Sequence, residues 1–419
     1  MVLRGHSFEL PLDHDRPDGE TISVFGRELV AEGKEGEDLP ILVYLQGGPG
    51  FASPRPLGKT GWIKRALEEY RVFLFDQRGT GCSTQIGLPF LSRYKTAQER
   101  ADVLKLFRAD SIIKDAEWIR KELIGPEKKW SILGQSFGGF CAVHYLSAAP
   151  EGLKEVFITG GLPSLTRPID EVYRATHEIV REKNRLYYER YPEDRERVEM
   201  ILQHLSENEV MIPRGDRLTP RRFQQIGMAL GSSDGFEMIH YALEVAFVSG
   251  GKLGESFLNQ VDQLYSFQTN PIYGLLHEPC YLQGTASRWS AERVRKEFPE
   301  FAEGSPLLTG EMVYPWMFEE YGVLREMKEE AVILAHFDGW APLYDLDRLG
   351  ANSVPSAAAI YANDMYVPRT FSEETAKMIN GLKTWVTPDF EHNGLRADGE
   401  KVLGTLIDLL REKKEESGS

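Results

Sequence analysis

The run Trp130-Ser131-Ile132-Leu133-Gly134-Gln135-Ser136-Phe137-Gly138-Gly139-Phe140-Cys141-Ala142-Val143-His144-Tyr145-Leu146 decides the architecture. Ile132 and Leu133 close an apolar strand, Gly134 to Gly138 spell G-x-S-x-G, and the residues after Gly139 continue as an apolar helix. A serine between strand and helix, with small neighbours, is held on a tight, strained turn that lifts its hydroxyl clear of the sheet. The amino end of the following helix favours negative charge developing there. The bare pattern also fits an ordinary glycine turn; the strand before it and the helix after it make Ser136 the expected nucleophile.

Working outward, three more runs share the character of that strand. Leu39-Pro40-Ile41-Leu42-Val43-Tyr44-Leu45 ends in Gly47-Gly48-Pro49-Gly50, Tyr70-Arg71-Val72-Phe73-Leu74-Phe75 in Asp76-Gln77-Arg78-Gly79, and Val156-Phe157-Ile158-Thr159 in Gly160-Gly161. Runs apolar on both faces and closed by glycines fit buried strands of a parallel sheet. Between them, 111–123 carries Ile112, Ile113, Ala116, Ile119 and Leu123 at helical spacing and stops at Gly125-Pro126. The alternation predicts an α/β fold, a doubly wound and mostly parallel sheet with right-handed crossovers. Ahead of it, Phe8, Leu10 and Leu12 alternate, Pro17-Asp18-Gly19 turns, and Thr21 to Phe25 reads as a returning strand.

After Gly161 the pattern becomes long, charged and helical through 165–205, 221–230 and 235–247. Strand-like runs are expected again at 331–335, 357–361 and 383–386, followed by a last helix over 400–410 with Val402, Leu403, Leu406, Leu409 and Leu410 on one face. The chain therefore divides into core (1–162), an inserted, mainly helical cap (163–330) and returning core (331–419), with an independent second domain as the rival reading. The tail from Lys413 to Ser419 is expected to fray.

A serine nucleophile needs a base, and the base an orienting acid. Where the serine stands on such a turn, the chain order is Ser, then Asp or Glu, then His. Of nine histidines, His336 and His392 follow the cap; His392 lies after the last expected strand and before the last helix, and His336 comes too early to be preceded by its own acid. Asp364, at the carboxyl end of the strand-like 357–361, is the expected acid over Asp338, Asp345, Asp347 and Asp389. The glycines after Leu45-Gln46 allow a backbone N–H, assigned to Gly48, to approach an oxyanion, with that of Phe137 as the second donor.

Length and charge narrow the alternatives. At 419 residues and 47.5 kDa the chain suits one large core with an insertion, or two domains. Lys plus Arg is 49 against 64 Asp plus Glu, so the formal charge is 49 − 64 = −15. Such a field disfavours nucleic acid and anionic membranes and mildly favours cationic ligands. Three cysteines without CxxC spacing suggest neither a disulfide framework nor a cysteine-rich zinc site, and no HExxH occurs, so no metal or cofactor is expected. With no apolar signal-like stretch at the amino terminus and no apolar run of about eighteen residues, a soluble, cytoplasmic protein is expected.

Gly47-Gly48-Pro49-Gly50, Asp76-Gln77-Arg78-Gly79-Thr80-Gly81-Cys82-Ser83 and Gly134-Gln135-Ser136-Phe137-Gly138-Gly139 together resemble the prolyl aminopeptidases (proline iminopeptidases) of the α/β-hydrolase fold, in their longer branch. Asp364-Met365-Tyr366-Val367 and Glu391-His392-Asn393-Gly394-Leu395-Arg396 extend the resemblance to the carboxyl end. Many relatives have His before the GGPG turn; here Gln46 stands there. The resemblance implies release of an unblocked amino-terminal proline from peptides, with acidic cap residues holding the substrate ammonium. It assigns that role to Glu278, in Leu275-Leu276-His277-Glu278-Pro279-Cys280-Tyr281, and by spacing to Glu244, with Glu237 as rival. A carboxylesterase or lipase on the same fold is the alternative, and it would want an apolar cap pocket without paired carboxylates. A non-catalytic binding protein on this scaffold is disfavoured by the intact serine, acid and base. Oligomeric state is not legible.

Overall fold

The computed structural model describes residues 1–265, 267 and 269–411, so the expected fraying of 413–419 lies outside the described residues. The sheet has eight strands: β1 (Val2–Pro11), β2 (Thr21–Val30), β3 (Ile41–Leu45), β4 (Arg71–Asp76), β5 (Trp130–Gln135), β6 (Leu153–Thr159), β7 (Ser356–Tyr361) and β8 (Leu382–Thr387). Their spatial order is β1-β2-β4-β3-β5-β6-β7-β8. β1 and β2 form the expected antiparallel hairpin at one edge, and β2 runs antiparallel to β4; the remaining pairings are parallel.

Side chains of the inner strands are buried on both faces, which is why β3 and β4 read as continuous apolar runs. On one face the helix Gly399–Arg411 buries Val402, Leu403, Leu406 and Ile407 beside Trp62 and Ile63. On the other, Ala109–Ile124 buries Ile112, Ile113, Ala116 and Ile119. The helix Phe137–Ala148 is apolar all round and buried throughout most of its length, as expected of a helix with no solvent face.

From β3 the chain moves outward to β4 and then crosses back, placing β5 on the other side of β3. The loops leaving β3 and β5 therefore part at a switch point, where open α/β sheets form a crevice at the carboxyl ends of their strands. Leu45 and Gly134 are register partners across that pair, so the Gly47-Gly48 turn and the Ser136 turn emerge side by side.

Between Thr159 and Ser356 the regular elements are helices, apart from one short antiparallel pair, Phe247–Val248 with Lys252–Leu253. Its longest helix, Ile169–Arg190, buries Val172, Tyr173, Thr176, His177, Val180, Lys183, Asn184 and Tyr187, spaced by three and four residues. Residues 331–335 are not a strand but belong to the helix Lys328–His336; Ala331, Leu334 and Ala335 are buried while Val332 is 43% exposed. Five apolar residues cannot distinguish the two periods, and the spacing of the buried ones is helical. The sheet is re-entered at Ser356, so the boundary expected at 331 falls inside a helix.

Candidate active site

Ser136 has φ 54° and ψ −124°, a conformation that L side chains rarely adopt, and it is held there by its neighbours. Its amide donates to Thr159 O at 3.0 Å, and its carbonyl accepts from Gly139 N at 2.7 Å. The surrounding glycines are required by contact. A Cβ on Gly134 would lie 2.4 Å from Gly138 O, one on Gly138 1.9 Å from Leu45 O, and one on Gly139 2.4 Å from Gly161 O. Gly47 is pressed against the nucleophile: its Cβ would lie 2.8 Å from Ser136 Cβ. Gly48 lines the same cleft as Ser136. The Phe137 N–H opens the following helix and has no intrahelical acceptor.

Asp364 and His392 are brought together as the chain order implied. His392 Nδ1 lies 2.7 Å from Asp364 Oδ2, and Asp364 is 1% exposed. The other Asp364 oxygen accepts from the amides of Tyr366 (2.9 Å) and Val367 (3.0 Å), which fixes the carboxylate. Burial opposes charging of His392, but the Asp364 carboxylate bonded to it and the nearby Glu311 outweigh burial and hold its pKa above the ordinary histidine value. The cap grips this loop: His392 N donates to Gly231 O at 3.2 Å, Asn393 Oδ1 accepts from Ser233 N at 2.9 Å, and the buried Lys183 ammonium pairs with Glu391.

Ser136 and His392 open into one cleft of about 890 Å³ between core and cap. Phe51, Tyr273 and Tyr366 give it an aromatic wall; Phe51 and Tyr273 meet edge to face at 5.1 Å. Gln46 lines it too, with its side-chain oxygen accepting from Tyr44 OH at 3.0 Å.

A family model of the α/β-hydrolase fold matches residues 40–272. The chain is 50% identical over 411 residues to a proline iminopeptidase of Aeromonas sobria, covering 97% of this chain and 96% of that one. It is 35% identical to a proline iminopeptidase of Aspergillus aculeatus, covering 97% and 93%. The chain belongs to the proline iminopeptidase family. Esterase E22 superposes with a TM-score of 0.50 at 9% identity, covering 98% of this chain and 100% of that one, and shares the fold.

Family membership sharpens the question of which cap carboxylate faces the cleft, and here the structure departs from the expected residues. Glu278 is 4% exposed and does not line the cleft; its Oε1 accepts from Ala291 N at 2.9 Å at the start of the helix Ser290–Arg295. Burial raises its pKa despite that bond and one from Ser287. Glu244 is a half-exposed surface residue 3.6 Å from His240 Nε2, and Glu237 pairs with Arg190. The cap carboxylate in the cleft is Glu311, in Thr309-Gly310-Glu311-Met312. Tyr273 OH donates to its Oε1, and His277 Nε2 lies 3.4 Å from its Oε2. No sequence pattern singled it out, because it lies in an extended connection without periodicity.

The Asp76–Ser83 segment has a structural role. Asp76 is fully buried; it takes both Arg55 Nη atoms, at 2.9 and 2.5 Å, and the amides of Ser53 (3.0 Å) and Cys82 (2.9 Å). Arg78, also buried, forms a bidentate pair with Asp115 at 2.7 and 2.6 Å. For metal ions, Glu193, Asp194 and His240 are the group among the described residues that could supply ligands, but Asp194 is already bonded to Arg197 at 2.7 Å, to His240 at 2.9 Å and to Tyr187. Among the described residues no helix is long and apolar enough to cross a membrane.

Proposed function

We propose that this protein is a serine aminopeptidase that releases an unblocked amino-terminal proline from peptides. The observation carrying this reading is the Glu311 carboxylate in the same cleft as Ser136 and His392. A secondary ammonium has two N–H donors, and a carboxylate already oriented by Tyr273 and His277 can accept from them. An acylated nitrogen would leave that charge unpaired, which discriminates strongly against blocked substrates. The aromatic wall suits the apolar pyrrolidine ring and a cation near ring faces. Membership in the proline iminopeptidase family supports the same substrate.

The chemistry follows from the positions. Asp364 occupies Nδ1 of His392, leaving Nε2 to take the Ser136 proton as the hydroxyl attacks the prolyl carbonyl. The Phe137 amide and the amides of the Gly47-Gly48 turn are the candidates to receive the oxyanion, the latter fitting the expected Gly48 donor. His392 then protonates the departing amine, and water attacks the acyl-enzyme by the same base. The thiols of Cys82, Cys141 and Cys280 are free, which fits work in the cytoplasm.

A panel of aminoacyl naphthylamides, free and acetylated and including Pro, Ala and Leu, tests the reading. Preference for free Pro is expected. Turnover of p-nitrophenyl esters far above that of every prolyl amide would instead favour the esterase alternative.

A further inference from the structure

Three residues lining the catalytic cleft carry formal charge: Arg55, Glu311 and Arg396. Two of them are committed. Arg55 gives both terminal nitrogens to Asp76 and one of them also to Ser53 O at 2.9 Å. Glu311 is held by Tyr273 and His277 on the cap side. Arg396 differs from both. It is exposed, and its one side-chain hydrogen bond among the described residues is a long one, 3.4 Å from Nη2 to Ser232 Oγ. No carboxylate among the described residues lies within ion-pair distance of it; Asp234 acts on it only at longer range.

Its place follows from the local fold. Arg396 is in the short helix Gly394–Ala397, immediately after His392, so the element that delivers the base also delivers a guanidinium to the cleft. His392 donates a proton to the departing amine, so it necessarily faces the leaving group. Arg396 is close enough to that imidazole to oppose its protonation, whereas Glu311 favours it. The same opposition acts on Tyr366. The cleft thus carries an anion from the cap and an uncommitted cation from the core, both near the base.

We infer that Arg396 binds the carboxylate of the leaving portion of the substrate, so that the site is built for short zwitterionic peptides with a free carboxyl terminus. This rests on the aminopeptidase reading above and deepens it. A planar guanidinium matches a carboxylate in a two-pronged pairing that a neutral amide cannot replace. In a prolyl dipeptide the carboxylate belongs to the same residue as the scissile nitrogen, one Cα away from it, on the side that His392 serves. The amino-terminal charge goes to Glu311 and the carboxyl-terminal charge to Arg396.

The test compares kcat/KM for Pro-Gly, Pro-Gly amide and Pro-Asp amide in the wild type, Arg396→Gln and Arg396→Lys, at the pH plateau of each. The expected wild-type preference for Pro-Gly over its amide is about tenfold to a hundredfold, the range of a charge-assisted bond. It should fall close to unity in Arg396→Gln and recover in part in Arg396→Lys. Because the readout is a ratio, a general loss of activity or a shift in the base cancels. A wild-type ratio of unity, or one unchanged in Arg396→Gln, overturns the inference. Equal rates on Pro-Asp amide and Pro-Gly would overturn the preference for a free carboxyl terminus and make an acidic side chain the anion. Turnover of prolyl naphthylamide with a ratio of unity defeats this inference alone; ester hydrolysis without turnover of any prolyl substrate defeats the aminopeptidase reading and this inference with it.

Discussion

Nδ1 of His392 lies 2.7 Å from Oδ2 of Asp364, and the second Asp364 oxygen is held by the Tyr366 and Val367 amides. The carboxylate can therefore neither rotate away nor seek another partner, and it fixes both the tautomer and the orientation of the imidazole. Asp364→Asn would present an amide to one of these donors and disturb the tautomer. It should lower kcat on the order of 10⁴-fold with little change in thermal stability. Steady-state kinetics and a melting curve check this, and near-wild-type turnover would remove Asp364 from the mechanism.

Ser136→Ala should lower turnover by at least about 10⁴-fold on prolyl amides and small esters alike, since both use the same nucleophile. A fluorophosphonate should label the wild type at Ser136 and leave the variant unlabelled, as read by mass spectrometry of the modified peptide.

The pH dependence has a defined sign. His392 must be neutral to accept the Ser136 proton, so activity falls as pH drops through its pKa. Asp364 and Glu311 hold that pKa above the ordinary value despite burial, so the acidic limb should lie above about 6.5. Glu311→Gln removes one of the two anions favouring the imidazolium, and the limb should move to lower pH. A neutral ester substrate isolates the effect from ammonium binding. On free prolyl substrates the same variant should also lose about tenfold to a hundredfold in kcat/KM. An unmoved limb together with unchanged prolyl kinetics would place Glu311 outside the site.

Glu278 should behave as a structural residue. Glu278→Gln keeps an acceptor for Ala291 N and should leave prolyl kcat/KM close to wild type, whereas Glu278→Leu leaves that amide unpaired and should cost about 1–2 kcal/mol. Because burial raises the Glu278 pKa in the folded protein, the folded state binds the proton more tightly than the unfolded one. That contribution is complete below the ordinary glutamate pKa and is lost as pH rises through the raised value. Glu278→Gln should therefore gain melting temperature relative to wild type as pH increases; a constant difference would contradict it.

Gly138→Ala should prevent the serine turn from closing, since the added Cβ would meet Leu45 O at 1.9 Å, backbone that cannot yield. Loss of soluble, active protein is expected. Gly36→Ala, with nothing within 4 Å of the added carbon, should be neutral or stabilise by about 0.4–1 kcal/mol through the unfolded chain.

The eight strands of the sheet and the proposed reacting residues were legible in the sequence, because both rest on local patterns. Strands buried on two faces must be apolar throughout, and a serine forced to φ 54° between strand and helix must be flanked by glycines. Asp364 and His392 followed from chain order, since each lies in a loop after a strand of the same sheet. Tertiary structure decided which cap carboxylate lines the cleft. Glu278 and Glu311 are both acids of the cap, but Glu278 is buried and bonds the amide of Ala291 at the start of a helix within it, whereas Glu311 is partly exposed and lines the cleft. That difference depends on how short helices and extended connections pack on a distant sheet, and no period in the chain encodes it. The helix at Lys328–His336 was decided in the same way: its five apolar residues are compatible with either period, and Ala331, Leu334 and Ala335 became one face only when the surrounding chain supplied something to bury them against.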